Sequence, residues 1–248
     1  MYRRIKGMVT AKFSMMLHGQ YQDEVKYLSF TQKKDDALDE FVDRQTLNPS
    51  KRQALDWLAG ESSIDERFSL LDVGCGPGAI PQMILSDSNL KERVAYVGVD
   101  QSENAIRYCR SRLPDNYVMI CQDVLRKALP EDYFDVIMIN EVVEHLPSYK
   151  KLITDALLKK PKILIITTFA VLSNRKRDRI LWNSNKQCFM NSYSFEKFFQ
   201  HLRSKINAPI IIGNFESQKF DRHWFPRKEL MLWYIRLTSN KIAYFENK

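Results

Sequence analysis

The stretch Leu70-Leu71-Asp72-Val73-Gly74-Cys75-Gly76-Pro77-Gly78-Ala79 decides the fold of this 248-residue chain. The apolar run 68–73 is typical of a buried parallel strand. Three glycines on alternate positions follow it, Gly74, Gly76 and Gly78. Glycine permits positive φ and lets a ligand approach the backbone closely. The residues after the last glycine predict a helix, and a strand, a glycine turn and a helix in this order form a nucleotide cradle.

Asp72 distinguishes between two ligands that such a cradle can hold. Gly74, Gly76 and Ala79 satisfy the dinucleotide fingerprint literally, but glycines alone are a weak signal. A carboxylate at the strand end repels a pyrophosphate and attracts an ammonium or a sulfonium. The segment D-V-G-C-G-P-G, residues 72–78, also resembles motif I of class I S-adenosylmethionine-dependent methyltransferases. This resemblance implies S-adenosyl-L-methionine as the cofactor and a Rossmann-like transferase as the protein.

Two further acidic residues follow the next predicted strands. Asp100 ends the strand predicted at 94–99, about 20 residues past the glycine turn, where its carboxylate can accept hydrogen bonds from both hydroxyls of a ribose. Gln101 stands where the family usually has an apolar residue against the adenine. The resemblance implies that Asp123, after the strand predicted at 117–121, binds the adenine amino group. The backbone N–H of Val124 is then expected to meet a ring nitrogen.

A fourth strand is predicted by the run F-D-V-I-M-I-N, residues 134–140, which looks like motif IV of the same family. Open α/β sheets bind ligands in the crevice outside the carboxyl ends of their strands. Asn140 ends this strand at that crevice, so we expect it near the methionine part of the cofactor.

The residues after this strand carry the candidate catalytic groups. In a helical turn, offsets of three and four would place Glu141, Glu144 and His145 on one face. His145 could act as a general base oriented by a carboxylate, the three groups could hold a divalent metal, or the motif could be structural. E-x-x-E-H resembles ubiquinone-type O-methyltransferases and small-RNA 2′-O-methyltransferases. The RNA enzymes add a further histidine, which residues 183–194 lack, so we favour a metal-free base and assign no metal.

Composition limits the remaining choices. The formal net charge of +8 permits an anionic substrate or a nucleic acid but does not define a site. Four cysteines without a C-x-x-C pair predict reduced thiols and a cytoplasmic protein. No apolar run approaches the roughly 18 residues of a membrane span. The basic residues within 3–12 favour a plain N-terminal arm, with an organellar presequence as the alternative.

Two regions flank the predicted nucleotide-binding core. Residues 1–60 are expected to form a helical extension, with Ser50 as the N-cap of a helix that is either a lid over the active site or merely structural. Residues 61–248 are expected to form the Rossmann-like methyltransferase domain. The loop 169–191 leaves the end of the predicted fifth strand at 162–168, and its basic run 174–179 suits an anionic or planar acceptor or is solvated surface.

The element order predicts an α/β fold with a doubly wound, seven-stranded, mostly parallel sheet whose last strand is antiparallel. The favoured function is methylation of a small molecule on oxygen. A 2′-O RNA methyltransferase is the first alternative, and a non-catalytic cofactor-binding protein is the second. The intact Asp72, glycine turn and Asp100 disfavour the second alternative.

Overall fold

A computed structural model of the protein describes residues 33–61, 64–168, 177–183, 188–205, 210–216 and 229–236. The basic N-terminal arm and Arg175 and Lys176 of the predicted acceptor loop lie outside these residues. The helices are α1 (Asp35–Thr46), α2 (Pro49–Gly60), α3 (Ala79–Ser86), α4 (Glu103–Arg112), α5 (Lys150–Leu158) and α6 (Phe195–Arg203). The strands are β1 (Phe68–Val73), β2 (Val94–Asp100), β3 (Val118–Cys121), β4 (Val136–Asn140), β5 (Ile163–Thr168), β6 (Trp182–Asn183), β7 (Cys188–Phe189), β8 (Ile210–Glu216) and β9 (Glu229–Arg236).

The central sheet has the strand order β3-β2-β1-β4-β5-β9-β8. The strands from β3 to β5 pair in parallel throughout. β9 pairs antiparallel with β5 on one side and with β8 on the other. The predicted α/β class is confirmed. Because the chain winds from β1 to β3 in one direction and from β4 to β5 in the other, a crevice opens between the carboxyl ends of β1 and β4.

The core lies on both faces of this sheet, as the alternation of side chains along each strand requires. Leu70 of β1 packs on the face covered by α2, α3 and α4, and its neighbour Leu71 packs on the face covered by α5 and α6. β4 repeats the pattern, with Met138 on the first face and Ile137 on the second. Helices on both faces leave the strand ends as the place where polar groups can gather.

The N-terminal helices pack against this core. Leu38 and Val42 of α1 are buried in one cluster with Ala79, Ala105 and Tyr108. Asp35 and Asp36 lie in the first turn of α1 and Arg44 in its last turn, which complements the helix dipole.

The start of α2 differs from the predicted one. α2 begins at Pro49, and the backbone N–H of Arg52 bonds the carbonyl of Asn48 at 3.1 Å. Proline suits the first helical position because its φ is already fixed there and its missing N–H would have no partner within the helix. The predicted N-cap role of Ser50 is therefore wrong, and Asn48 precedes the helix instead.

The region predicted as a loop after β5 contains a small hairpin. β6 and β7 pair antiparallel, with Trp182 opposite Phe189, and their rings meet edge to face with centroids 5.1 Å apart. A bridge between Arg179 and Ser192 continues the pairing. In the part of the chain that the structure describes, no helix is long and apolar enough to cross a membrane.

Candidate cofactor and acceptor site

The glycine turn after β1 is held in place by its neighbours. Gly74, Gly76 and Gly78 have φ angles of 77°, 54° and 90°. The carbonyl of Val99 on β2 accepts the N–H groups of residues 74 and 75 at 2.7 and 3.1 Å. A Cβ added at Gly74 would lie 2.3 Å from Cγ2 of Val142, which follows β4. The turn therefore needs glycine both for its backbone conformation and for close packing against the next strand's loop.

Asp100, at the end of β2, is bound to the glycine turn. Its Oδ2 accepts the N–H of Gly76 at 3.0 Å, and its Oδ1 accepts the N–H of Ser102 at 2.8 Å. Burial raises the pKa of this carboxyl, although the two backbone bonds oppose the shift. Each oxygen of an ionised carboxylate can accept a second hydrogen bond. The pair of oxygens can therefore receive two adjacent hydroxyl groups, as the sequence predicted for a ribose.

Asp72, near the end of β1, is a buried carboxyl. Its side chain is 1 % exposed, and Oδ2 accepts the hydroxyl of Tyr96 at 2.7 Å. Burial raises the pKa of Asp72 to about 6, against the opposing effects of the Tyr96 hydrogen bond and the Lys51 charge. A buried carboxylate is costly unless a cation or hydrogen-bond donors face it. This position therefore fits the positive charge of an amino-acid ammonium.

The other predicted cofactor residues also lie at the carboxyl ends of the strands. Gln101 is exposed just after β2, and Val124 is half-buried after β3. Asp123 turns its carboxylate back on its own loop, where Oδ1 accepts the N–H of Leu125 at 2.8 Å. Its Oδ2 lies 3.4 Å from Nε of Arg126.

Asn140, the last residue of β4, is buried and engaged with β5. Its Oδ1 accepts the hydroxyl of Thr167, the residue opposite it in the register. The carboxamide oxygen thus links the two strands at the edge of the crevice.

The predicted single face of Glu141, Glu144 and His145 is wrong. Only residues 143–145 form a helical turn, and it is a 3₁₀ helix. Glu141 precedes it with φ of 55°, in the left-handed region, so its side chain leaves in another direction. Glu141 therefore does not share the helical turn of Glu144 and His145, although the charge of His145 still lowers the pKa of Glu141.

Glu141 binds the start of α2. Its Oε2 lies 2.6 Å from Nζ of Lys51, and its Oε1 accepts Nδ2 of Asn48 at 2.8 Å. Burial alone would raise the pKa of Glu141, but the Lys51 ammonium and the Asn48 amide outweigh it and hold the pKa below its usual value. Both oxygens thus have partners within the protein, which fits an anchoring role better than proton transfer.

Glu144 and His145 contact the segment that follows β6. Glu144 is fully buried, and its backbone carbonyl accepts the N–H of Asn191 at 2.9 Å. Nδ1 of the half-buried His145 lies 2.8 Å from the carbonyl oxygen of Phe189. A carbonyl only accepts, so Nδ1 carries a proton, and in the neutral ring Nε2 then carries the lone pair.

The metal alternative gains no support from this geometry. Across residues 33–61, 64–168, 177–183, 188–205, 210–216 and 229–236, no three His, Cys, Asp or Glu side chains are grouped so that they could hold a metal ion. Cys75, Cys109 and Cys121 are free thiols.

Several residues at the site are not predicted by the sequence. Lys51 and Asn48 are buried polar residues 90 and 93 positions from Glu141. Tyr96 lies within the predicted strand 94–99, and Asn191 is the last residue of the predicted loop 169–191. No local pattern marks them, because each acquires its role from a contact distant in sequence.

Comparison with known proteins identifies the family of this chain. A family model described as a methyltransferase domain matches residues 64–224. The ubiquinone biosynthesis O-methyltransferase of Glaesserella parasuis is 32 % identical over 109 residues, which are 40 % of this chain and 44 % of that protein. The malonyl-[acyl-carrier protein] O-methyltransferase of Bacillus anthracis is 31 % identical over 134 residues, 50 % of this chain and 47 % of that protein. The chain thus aligns with less than half the length of these curated relatives.

Solved structures share the fold. The 1,6-didemethyltoxoflavin-N1-methyltransferase of Burkholderia thailandensis, solved with S-adenosylhomocysteine, superimposes with a TM-score of 0.56 at 16 % identity. The match covers 92 % of this chain and 90 % of that one. The fold and the family match are those of a class I S-adenosylmethionine-dependent methyltransferase. This chain belongs to the methyltransferase-domain family, and S-adenosylmethionine is the cofactor of that family.

Proposed function

We propose that this protein transfers the methyl group of S-adenosylmethionine to an oxygen of a small, anionic or aromatic molecule. The observation that carries the choice of oxygen is the His145–Phe189 contact. In the neutral ring this contact favours a proton on Nδ1 and a lone pair on Nε2, which supports Nε2 as the acceptor of a hydroxyl proton. The curated relatives described above, whose names specify O-methyltransferases, support the same choice.

The residues at the strand ends fit the cofactor. Asp100 would accept the ribose hydroxyls, Asp72 would face the ammonium, and the N–H groups of the glycine turn would lie beside the amino-acid part. Asp123, Val124 and Gln101 would surround the adenine, with Asn140 beside the methionine part. When bound, the cofactor supplies an activated methyl group on a sulfonium, so the protein needs mainly to align the acceptor and remove one proton.

Within this proposal the three predicted catalytic residues have different roles. His145 takes the proton at Nε2. Glu144 supports the turn from inside the core, and Glu141 anchors α2 beside the crevice. Residues 1–60 would then act as the predicted helical extension next to the active site, and residues 61–248 as the methyltransferase domain.

Calorimetry with S-adenosylhomocysteine tests the cofactor site. Asp100→Ala should weaken binding severely, whereas Asp115→Ala, in the exposed turn before β3, should bind as the wild type does. Tight NAD binding without any response to S-adenosylhomocysteine would contradict the cofactor assignment.

Methyl transfer from labelled cofactor into fractionated lysate tests the reaction. His145→Gln should lower turnover by about 10²–10⁴ while cofactor affinity stays unchanged. A chelator should leave wild-type activity unaltered. Label in RNA, with binding that weakens steeply as salt is raised, would favour the RNA alternative. Cofactor binding without transfer to any fraction would favour the non-catalytic alternative.

A further inference from the structure

The five residues 189–193, here called the clasp, surround the 3₁₀ turn that carries His145. The clasp contacts three backbone carbonyls of the turn and its flanking residue, and it also contacts the imidazole ring of His145. Glu144 O accepts Asn191 N at 2.9 Å, and the Tyr193 hydroxyl lies 3.0 Å from the carbonyls of both Val143 and Leu146. The His145 ring bonds the Phe189 carbonyl at 2.8 Å. The orientation of the imidazole therefore depends on where the clasp lies.

Asn191 lies within the clasp and bonds both the 3₁₀ turn and the residue next to the β6–β7 hairpin. Its Nδ2 donates to the carbonyl of Leu146 at 2.5 Å and to the Tyr193 hydroxyl at 3.0 Å. Its Oδ1 accepts the N–H of Leu181 at 3.0 Å, beside the β6–β7 hairpin. The side chain is 1 % exposed. One carboxamide thus fixes the hairpin and the catalytic turn to each other.

Resting on the proposed base role of His145, we propose that Asn191 is a positioning residue for that histidine. By holding the clasp against the turn, Asn191 keeps the Phe189 carbonyl within reach of Nδ1. This fixes the tautomer with the proton on Nδ1, and directs the Nε2 lone pair to the acceptor hydroxyl. Asn191 acts only through Phe189 and His145 and need not touch the acceptor or the cofactor.

The first test measures the tautomer directly and needs no methyl transfer. In protein labelled with ¹⁵N-histidine, imidazole nitrogen shifts separate a protonated Nδ1 from a protonated Nε2. The chain has four histidines, so loss of one signal set in His145→Gln assigns the resonances. Wild-type His145 should show protonated Nδ1, and Asn191→Ala should show both tautomers. Asn104→Ala is the matched control, since it removes an amide hydrogen bond to the carbonyl of Lys33, two residues before α1 and far from the clasp in sequence.

The second test measures turnover and cofactor affinity in the same variants. Asn191→Ala should lower kcat by about 10- to 100-fold, because a misplaced catalytic group costs that much, with cofactor affinity unchanged. Asn191→Ser keeps one polar group at this position, so its kcat should lie between those of Asn191→Ala and the wild type. If Asn191→Ala does not fold, Asn191→Ser replaces it in both tests. A wild-type tautomer or wild-type turnover in a folded Asn191 variant overturns the inference. Full activity of His145→Gln instead overturns the base role, and the tautomer measurement still reports on Asn191 separately.

Discussion

Nζ of Lys51 lies 2.6 Å from Oε2 of Glu141, and both side chains are largely buried, with 7 % and 13 % exposed. The pair joins the first turn of α2 to the residue that leaves β4, so it connects the N-terminal helices to the edge of the crevice. The charge of Lys51 also lowers the pKa of Asp72. The Lys51–Glu141 ion pair therefore connects α2 to the end of β4, and the Lys51 charge also contributes to the electrostatics of the proposed cofactor site.

Breaking this pair on one side should destabilise the protein. Lys51→Met leaves the Glu141 carboxylate buried without its cation, and such a loss costs about 3–5 kcal/mol. Urea unfolding measures the change. Lys91→Met, in the exposed pair with Glu92, is the control and should cause no measurable change. The double variant Lys51→Met, Glu141→Met should recover much of the loss, and additive losses would contradict an interaction between the two residues.

Cofactor affinity should rise with pH through about 6, because the ionised form of Asp72 attracts an ammonium and its pKa is about 6. Tyr96→Phe removes a hydrogen bond that lowers this pKa, so the midpoint should shift to higher pH. Calorimetry with S-adenosylhomocysteine between pH 5 and 8 measures it. Tyr117→Phe is the matched control, since its ring stacks on Tyr96 but its hydroxyl bonds no described residue. Equal midpoints in Tyr96→Phe and wild type would contradict the role of Asp72 as the group whose ionisation controls cofactor affinity.

Ionisation of Asp72 should lower the stability of the protein, although it raises the affinity for the cofactor. The pKa of Asp72 is 3.8 when unfolded and about 6 when folded, so the folded state binds more protons within this window. The contribution of Asp72 to the free energy of unfolding should therefore fall as pH rises from about 4 to about 6. Comparing thermal unfolding of Asp72→Asn with wild type across this range isolates the contribution. A difference that does not vary with pH would contradict it.

Gly74→Ala should impair both folding and cofactor binding. A left-handed backbone costs about 1–2 kcal/mol for a residue with a Cβ, and this Cβ would collide with Val142 at 2.3 Å. Gly60→Ala, at the end of α2, meets nothing within 4 Å and should be neutral or slightly stabilising. Adding Val142→Ala should relieve the collision but not the backbone strain, so only part of the loss should return.

Helix α1 should contribute to global stability. Leu38 is fully buried among residues of α3 and α4, so Leu38→Ala should lower the free energy of unfolding by about 2–5 kcal/mol. Leu47, just after the helix, is 77 % exposed, and Leu47→Ala should leave stability unchanged. An unchanged denaturation midpoint in Leu38→Ala would show that α1 does not unfold together with the core.

The sequence by itself determined the parts of the site that depend on local physics. The sequence predicts β1 with its observed bounds because four of its six residues are apolar and the glycine turn follows it directly. The glycine turn is recognisable because only glycine suits its φ angles. Asp72 and Asp100 could be located at one edge of the sheet because each lies at or next to the end of its strand, where parallel strands bring their carboxyl ends together.

Tertiary structure decided the rest, because those roles depend on contacts between distant positions. A regular helix would place Glu141, Glu144 and His145 on one face, but Glu141 adopts a left-handed conformation and binds Lys51, 90 residues away. The ring of His145 is oriented by Phe189, 44 residues later, through a hairpin with strands of two residues each. Local propensity carries no information on such pairs, since a buried polar group takes its partner from whichever element the fold brings to it.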